Sequence, residues 1–521
     1  MKMKKTFKFF MCAAIVAAGF VGCSSEEIDV QGNNTDPAGG TEGVTTYASF
    51  NFKITDHLAD TKAAMVNDDS ESSSINSIRL LIFKATANST VCEINTVYTT
   101  GSTGWDAAKS ETVKLTSGDK KIFVIANAEG ITGVKAALDG IAVNTTTQAE
   151  FYSMIYELGG NNVGLFSIAE ITNNSDLIMS SPADASCQRN LKEGITEADS
   201  RNGTTDATNS FTFYIQRAVA KGKVSYAAAG TLNTADGTGT LSTLTYGIRN
   251  VNRSTYLFQQ YATDNVDAQI DNAGIYILPR APYYNVMDGW SAADLADKTK
   301  YAPYYYSAYD YEGSGAQTLL VHGAPAAKTV YFTENTNNVT RVGNATYALI
   351  SATFTPGVGK VVTGFDYDEV NKQFKNVTYN TTAVSAGTLY KTTKAAAGLS
   401  VNSLFRNQAL AYTAAYCLEN EVNPPGAVPT PANEDYIMAY ASGKCYYRLS
   451  IGKGNTADNS IEYGVKRNYN YLAKITKFAS IGENTPDKLT DLPEVPLGQL
   501  THVTATISVL GWRDADSEVE L

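Results

Sequence analysis

Segments in which apolar residues alternate recur along this chain, and they constrain its fold more than any other feature. Such a period of two predicts β-strands that bury one face. In the first segment, residues 47–54, the apolar face consists of Ala48, Phe50, Phe52 and Ile54. In the last, "THVTATISVLGW", it consists of Val503, Ala505, Ile507 and Val509. The sequence therefore begins and ends its folded part with strands of one pattern.

The segments between these two also favour strands. "SIRLLIFKA" (77–85) and "KKIFVIANA" (120–128) are continuous apolar runs, which predicts strands covered on both faces. "SFTFYIQRAVAKGKVSYAA" (210–228) is predicted as one long strand-like segment, and "ATYALISATFTP", "KCYYRLSIG" and "YNYLAKITKFASIG" follow it. Helical spacing of apolar residues occurs in 145–158 and predicts one short helix. The fold class is therefore all-β with minor helix.

The first 22 residues have the features of a secretory signal. Four lysines precede an apolar run over residues 9–21, which is shorter than a membrane span of about 20 residues. Gly22 stands directly before Cys23, as in a bacterial lipobox, so we expect a lipid on the Cys23 thiol and a lipoprotein precursor. The alternative is an ordinary signal peptide with an incidental cysteine. Residues 23–46 contain no Lys or Arg and are expected to form a flexible tether.

Composition excludes some functions and leaves others open. A formal net charge of −11 makes nucleic acid an unsuitable partner. Beyond the signal and Cys23, no two cysteines form a CxxC pair, and spacing does not decide the disulfide state of those that remain. A bridge between Cys417 and Cys445, expected in neighbouring strands, is one alternative, and buried thiols are the other. The cysteines in question are Cys92, Cys187, Cys417 and Cys445.

The residues for histidine-based or zinc-based catalysis are missing, whereas the carboxylates are numerous enough that counting leaves a glycosidase pair open. The three histidines, His57, His322 and His502, lack metal-ligand spacing, and no nucleophile elbow or phosphate-binding glycine loop is present. We therefore expect no enzyme activity, no cofactor and no metal. Residues 283–311 contain eight tyrosines, which either pack an insert or stack on sugar rings.

Lys62 has an unusual position in the sequence. It is the only Lys or Arg between the first strand and Arg79, and it lies in the polar segment "ADTKAAM". Arg79 lies inside a predicted strand, where a protease has poor access. Lys62, directly before Ala63, is thus the basic residue of this region that a protease could reach. The alternative is a surface lysine that is never cut.

Taken together, the segments resemble a type V pilin of the Bacteroidetes fimbrillin superfamily, and most closely the major-subunit family of minor fimbriae. The matching pieces lie in the same order along the chain, behind a lipobox. They are "INSIRLLIFKA", "KKIFVIANAEG", "LIMSSPA", "IQRAVAKGKVSY", "VYFTENTNNVT", "ATYALISATFTP", "KCYYRLSIG", "YGVKRNYNYLAKITKFASIGENTPD" and "VTATISVLGWRDADSEVEL".

The resemblance implies two tandem β-sandwich-like (transthyretin-like) domains. The N-terminal one would span 47–209 and include a removable first strand, 47–62. The C-terminal one would span 210–486 and carry the Tyr-rich insert, and residues 487–521 would hold a donor strand. These follow a signal at 1–22 and a tether at 23–46.

It also implies a structural subunit of a surface fimbrium that supports adhesion. The precursor would reach the outer membrane through the lipid on Cys23, lose its first strand by proteolysis, and accept the C-terminal strand of another pilin subunit. A host protein or glycan would be its receptor. Because Lys62 stands where the family usually has Arg, an uncleaved anchor pilin is an alternative. A surface glycan-binding lipoprotein is another.

Overall fold

The structure is a computed structural model of the chain. It describes residues 43–54, 75–86, 89–99, 112–156, 165–166, 177–181, 187–226, 232–259, 281–306, 318–319, 330–337, 341–385, 387–428, 436–451, 464–489, 493–494 and 503–511. Of the predicted site residues, Cys23, Lys62 and Ala63 lie outside these ranges, as do the side chains of Ile54, Val503, Ala505, Ile507 and Val509.

Strands dominate the described part of the chain, as predicted. Those of the first half are β1 (Thr45–Ile54), β2 (Ser77–Lys84), β3 (Cys92–Thr99), β4 (Val113–Thr116), β5 (Gly118–Ala126), β6 (Leu165–Phe166), β7 (Met179–Ser180), β8 (Gln188–Leu191) and β9 (Ser210–Arg217).

The second half contributes the remaining strands. They are β10 (Val219–Tyr226), β11 (Leu232–Asn233), β12 (Gly239–Arg249), β13 (Val251–Asn252), β14 (Thr255–Tyr256), β15 (Tyr305–Tyr306), β16 (Thr318–Leu319), β17 (Val330–Thr333), β18 (Tyr347–Pro356), β19 (Val361–Asp368), β20 (Gln373–Tyr379), β21 (Leu389–Thr392), β22 (Leu404–Phe405), β23 (Ile437–Tyr440), β24 (Lys444–Ser450), β25 (Tyr469–Phe478) and β26 (Val503–Gly511).

Helices are few and mostly short. Within the described ranges they are α1 (Thr132–Asp139), α2 (Gln148–Tyr156), α3 (Glu197–Asn202), α4 (Ala292–Ala296), α5 (Lys298–Tyr301) and α6 (Gln408–Asn420). The predicted helix in 145–158 is confirmed by α2. The sequence analysis missed α6, which has 13 residues, because its apolar residues are mainly alanines and form only a weak stripe. No helix in the described ranges is long and apolar enough to cross a membrane.

The first half forms one sheet of eight strands. Its order is β3-β2-β5-β7-β9-β1-β4, with β8 paired to β5. One face of this sheet encloses an apolar cluster to which β1, β2, β5 and β9 all contribute. Since strands from both ends of the order contribute to one cluster, the sheet folds over its own apolar face like the two layers of a sandwich.

β2 and β5, which were predicted to be buried on both faces, are buried on both faces. Ile78, Leu80 and Ile82 of β2 point into the cluster inside the first sheet. Leu81 and Phe83 point to the opposite face and join a larger cluster that continues into the second half of the chain. This double burial explains why β2 and β5 read as continuous apolar runs rather than alternating ones.

The second half contains several smaller sheets. Three of them have the orders β17-β10-β25-β26, β11-β12-β18-β24 with β16 paired to β12, and β20-β19-β22-β21-β23. The last of these packs against α6 in a separate apolar cluster. The mostly-β fold class is thus confirmed.

The segment 210–228 was predicted as one strand-like segment. In the structure it forms two strands that belong to different sheets. β9 ends at Arg217 and pairs with strands of the first half. β10 begins at Val219 and pairs with strands of the second half. The Arg217 guanidinium is buried and donates to the Asn468 side chain (3.1 Å), while the Asn468 amide donates to the Val219 carbonyl (2.8 Å). The change of sheet therefore occurs at Ala218, beyond the boundary predicted after residue 209.

The expectation that Cys417 and Cys445 lie in neighbouring strands is wrong. Cys417 lies in α6 and Cys445 in β24, and α6 packs in a different apolar cluster from Cys445. All four of these cysteines, Cys92, Cys187, Cys417 and Cys445, are buried, and none forms a disulfide within the described residues. Burial raises the pKa of Cys92, Cys417 and Cys445 to about 11. These thiols therefore stay protonated at neutral pH and pack as small apolar groups.

A buried polar chain joins the two halves. The Gln216 side chain of β9 donates to Gln259 (2.7 Å), and Gln259 donates to the Glu334 carboxylate (2.7 Å). Glu334 faces Arg467 at 3.6 Å, and both side chains are fully buried. Arg467 also donates to the Tyr256 carbonyl (2.7 Å). The Gln216–Gln259 contact therefore links β9 of the first half to the buried Glu334–Arg467 pair of the second half, in which removal of one partner would leave the other charge buried.

We predict that Glu334→Ala destabilises the protein strongly, because it leaves the Arg467 guanidinium buried without its counter-charge. The expected loss is about 3–5 kcal/mol of unfolding free energy, measured by urea denaturation. The control is Glu197→Ala, which removes an exposed ion pair with Arg201 and should change stability little. Equal effects of the two variants would contradict a structural role for the buried pair.

Candidate functional site

β1 lies inside the first sheet, but its two neighbours divide its length between them. Residues 45–48 pair antiparallel with 116–113 of β4, and residues 49–54 pair parallel with 210–215 of β9. In the described part of the chain, each half of β1 therefore has one neighbouring strand rather than two. Fewer ladder hydrogen bonds hold such a strand than would hold a fully central one.

The apolar side of β1 closes the cluster inside the first sheet. Ala48 and Phe50 are fully buried and Phe52 is 4% exposed, as predicted from their alternation. The Phe50 ring lies 6.2 Å from the rings of both Phe211 and Phe213 of β9. Burial of each phenylalanine side chain stabilises the folded state by about 1.5–3 kcal/mol. These rings add to the hydrogen bonds of the two ladders in holding β1 in the sheet.

A buried asparagine fastens the start of β1. The Asn209 side-chain amide donates to the Tyr47 carbonyl (3.1 Å), the Thr46 hydroxyl (3.1 Å) and the Lys192 carbonyl (2.9 Å). Its side-chain oxygen accepts from the Lys192 amide (2.8 Å), and its carbonyl accepts from the Ser49 amide (2.9 Å). Asn209 has a φ of 50°, a left-handed conformation that asparagine tolerates better than most residues.

Hydroxyl groups of β1 add further polar contacts. The buried Ser49 hydroxyl donates to the Ser200 carbonyl of α3 (2.7 Å) and lies 3.2 Å from the Ser210 hydroxyl. The Thr46 hydroxyl donates to the Lys192 carbonyl (2.7 Å). The sequence analysis missed Asn209, Ser49 and Thr46. A residue-type signal existed only for Asn209, a turn-former directly before a strand, because the partners of all three come from distant parts of the chain.

Withdrawal of β1 would open a groove between β9 and β4. The backbone groups of residues 210–215 that face β1 would lose their ladder partners, and the Phe211 and Phe213 rings would lose their cover. The Arg189 guanidinium lies 4.8 Å from the Phe213 ring centroid and would remain beside the groove. A groove with free ladder groups and an apolar floor binds one thing well, an extended strand with alternating apolar side chains.

The predicted donor strand is a strand, and it lies at a sheet edge. β26 pairs antiparallel with β25, with Val509 opposite Tyr471 and Ile507 opposite Ala473. An irregularity interrupts the register between Ile475 and Lys477. β26 has one neighbouring strand in the described part of the chain, since its sheet ends there. An edge strand can leave its sheet without breaking a second ladder.

Two family models match this chain, one over residues that include β1 and the other over residues that include β26. The model described as "Major fimbrial subunit protein (FimA)" matches residues 46–212, which run from β1 into β9. The model described as "Major fimbrial subunit protein type IV, Fimbrillin, C-terminal" matches residues 438–518, which contain β24, β25 and β26. The two matches stand in the order expected of one fimbrial subunit.

Both family models that match the chain are models of major fimbrial subunits. This fimbrial subunit is a structural protein of a cell-surface appendage and not an enzyme, and it assembles with other pilin subunits. The resemblance to the fimbrillin superfamily is confirmed. The closer resemblance to the major subunits of minor fimbriae stays a prediction.

Solved structures of fimbrial and adhesion proteins are similar to this fimbrial subunit over most of its length. A fimbrilin from Porphyromonas gingivalis W83 has 12% identity and a TM-score of 0.42, covering 91% of this chain and 99% of that one. A putative cell adhesion protein from Parabacteroides distasonis has 12% identity and a TM-score of 0.41, covering 92% and 99%. The tip fimbrial protein Mfa3 from Porphyromonas gingivalis has 12% identity and a TM-score of 0.37, covering 90% and 100%. No curated protein matches the chain.

We predict that Asn209→Gly loosens β1 while it keeps the left-handed backbone accessible. Loss of the side-chain hydrogen bonds should lower local stability by about 1–3 kcal/mol and speed amide hydrogen exchange in residues 45–54. Asn209→Ala should exchange faster still, because alanine disfavours a positive φ. Asn202→Ala, at the exposed end of α3, is the control and should leave exchange in β1 unchanged. Unchanged exchange in Asn209→Gly would show that β1 is held by its apolar side alone.

Proposed function

We propose that this fimbrial subunit polymerises by strand donation. Cleavage between Lys62 and Ala63 frees β1, which leaves the first sheet. The C-terminal strand of another subunit, with Val503, Ala505, Ile507 and Val509 on its apolar side, then enters the vacated groove. The observation that carries this proposal is the position of β1, whose two half-length ladders make it a poorly integrated strand over an otherwise complete apolar cluster.

The two strands match in length and pattern. β1 has 10 residues and β26 has nine, and each presents four apolar positions spaced two residues apart. Each can form backbone hydrogen bonds with β9, and each can place its apolar side chains against the same apolar cluster. Exchange of one for the other therefore conserves most of the interactions in the groove, and the balance depends on how each strand is attached.

Covalent attachment explains why cleavage is needed. While residues 55–76 connect β1 to β2, β1 occupies its groove at a high effective concentration, which no separate subunit can match. After a cut behind Lys62, β1 is a separate peptide that dilutes away once it dissociates. The donor strand of a neighbouring subunit then occupies the groove by mass action.

The geometry of donation leads to a filament. The donor strand lies at one end of the chain and the groove in the first sheet, so the contact between subunits joins two different surfaces. Such a head-to-tail contact continues from subunit to subunit when rotation does not close it into a ring. A fimbrial shaft or accessory subunit needs this kind of contact, with adhesion to a host protein or glycan as its result.

We further propose that the precursor travels as an outer-membrane lipoprotein with its lipid on Cys23. Lys62 then decides the role of the subunit, because a protease restricted to Arg leaves this chain uncut. A cut chain would lose its lipid and enter the shaft, and an uncut chain would stay in the membrane as an anchor. The N-terminal residue of protein recovered from cells, Ala63 or lipidated Cys23, separates these two roles.

We predict that a lysine-specific protease releases residues up to Lys62 and triggers polymerisation of the purified protein. Lys62→Gln should abolish both, because it removes the cleavage site without disturbing β1. Lys53→Gln is the matched control, since Lys53 is an exposed lysine within β1 itself. Mass spectrometry reports the new N terminus, and light scattering reports polymer. Trimmed protein that remains monomeric at high concentration would contradict strand donation.

We predict that Ile507→Asp blocks polymerisation of cleaved protein, because a carboxylate on the apolar side of the donor strand would be buried in the groove. Thr506→Asp, on the opposite side of the same strand, should polymerise normally. The monomer of each variant should keep its melting temperature to within a few degrees. A monomer that unfolds in Ile507→Asp alone would mean that β26 belongs to the permanent core.

A further inference from the structure

A cavity of about 500 Å³ lies under the tyrosine-rich insert, away from the β1 groove. Its walls come from α5, the turn between β12 and β13, the start of β18, and the segment around Pro486 and Pro493. Cavities of several hundred cubic ångströms with mostly apolar walls and a few polar groups are the usual form of small-ligand sites. The strand-donation function makes no use of this cavity.

Aromatic rings form its apolar walls. Tyr301, Tyr305 and Tyr347 all line it, and the first two belong to a cluster of packed aromatic side chains. The Tyr301 hydroxyl donates to the Leu295 carbonyl (2.9 Å) and the Tyr305 hydroxyl to the Asn337 side chain (3.0 Å). These contacts fix both rings in place. Most of the tyrosines of the insert that the structure describes thus pack on one another, and two of them also give a cavity its wall.

A glycine makes the cavity wall continuous. A Cβ atom at Gly343 would lie 2.6 Å from the Tyr301 ring and 2.7 Å from the Pro493 Cβ atom, closer than real contacts allow. The Gly343 amide also donates to the Pro493 carbonyl (2.9 Å). The absence of a side chain at Gly343 therefore lets the insert and the segment near Pro493 meet beside the cavity.

The Tyr347 hydroxyl is left without a partner. Tyr347 is fully buried and lines the cavity, and among the described residues its hydroxyl makes no hydrogen bond. A buried hydroxyl with no partner costs about 1–3 kcal/mol. Burial also raises the pKa of Tyr347, so the group remains a neutral donor at physiological pH. A ligand acceptor inside the cavity would remove this cost.

The charges around the hydroxyl favour an anion. Arg249 and Lys298 line the cavity, and the Arg448 guanidinium lies 3.5 Å from the Tyr347 ring centroid. Arg448 is buried, donates to the Leu489 and Val342 carbonyls, and keeps an Nε without a partner among the described residues. Arg448 and Arg249 both act to lower the pKa of Tyr347 against the effect of burial, and Lys298 is a third cation in the vicinity of the cavity.

Carboxylates near the cavity are fewer than the cations. Asp487 is the carboxylate of its lining, and it opposes Arg249 and Arg448 by raising the pKa of Tyr347. Outside the lining, Glu494 and Arg341 act on Tyr301 with opposite effects on its pKa and so offset one another. The local charge is therefore positive, in a chain whose formal net charge is −11.

We propose that this cavity binds a carboxylate-bearing sugar unit, with the sugar ring against Tyr301 and Tyr305 and the carboxylate accepting from the Tyr347 hydroxyl. A sugar ring presents C–H groups on its faces and oxygens around its edge, which matches aromatic walls bordered by polar side chains. Arg249 and Lys298 supply the positive charge for the acid. The site does not depend on strand donation, and it gives the fimbrial subunit a ligand of its own.

The test is titration of the full chain with D-galacturonic acid and N-acetylneuraminic acid, with D-galactose as the neutral counterpart. Saturation-transfer NMR at millimolar sugar detects weak binding. We expect both acids to bind and galactose to bind at least tenfold more weakly, as loss of one charged hydrogen bond requires. Tyr347→Phe and Lys298→Gln should each weaken the acids about tenfold. Tyr304→Phe and Lys300→Gln, which alter neighbours outside the lining, are the matched controls and should bind normally.

Thermal stability supplies an independent readout. Without sugar, Tyr347→Phe should melt at the same or a higher temperature than the unaltered chain, because it removes an unpartnered buried hydroxyl. A lower melting temperature would mean that the protein itself uses this hydroxyl, and would overturn the proposal. So would equal binding of galactose and galacturonic acid, absence of acid binding, or acid binding that Tyr347→Phe leaves unchanged.

Discussion

The backbone of β9 needs a hydrogen-bonding partner along residues 210–215, and the rest of the first sheet depends on how this need is met. β1 meets it in the present structure and also covers the apolar cluster beneath. It forms one ladder with β9 and one with β4, its phenylalanines are buried, and Asn209 contacts its start. The proposed donor strand would have to replace these contacts.

The sheet that contains β1 also contains strands that are buried on both faces. β2 and β5 are buried on both faces and connect the cluster inside the first sheet to the cluster that extends into the second half. The rings of Phe123 and Phe258, 5.4 Å apart, connect the halves, as does the Gln216–Gln259 hydrogen bond, which continues to the buried Glu334–Arg467 pair. The groove that the proposed donor strand would enter therefore has a floor built on these buried strands, and its entry would need little reorganisation of the subunit.

The cavity beside Tyr347 is the second site proposed for this subunit. The cavity beside Tyr347 is walled partly by Pro486 and Pro493, which belong to the connection that leads from β25 to β26. A subunit that lends β26 to its neighbour would pull on this connection. The proposed ligand binding at the cavity and the proposed assembly through β26 would thus share this connection.

Sequence periodicity alone determined much of this fimbrial subunit. It predicted the strands β1, β2, β5, β18, β24, β25 and β26, the helix α2, and the burial of Ala48, Phe50 and Phe52, because alternation and continuous apolar runs are local properties of a strand. Only the tertiary structure decided that residues 210–228 divide between two sheets at Ala218, that β1 divides between two neighbours, and that Asn209 and Tyr347 face the groove and the cavity. Each of these depends on contacts between residues far apart in the chain, and a local pattern does not record which distant segment supplies the partner.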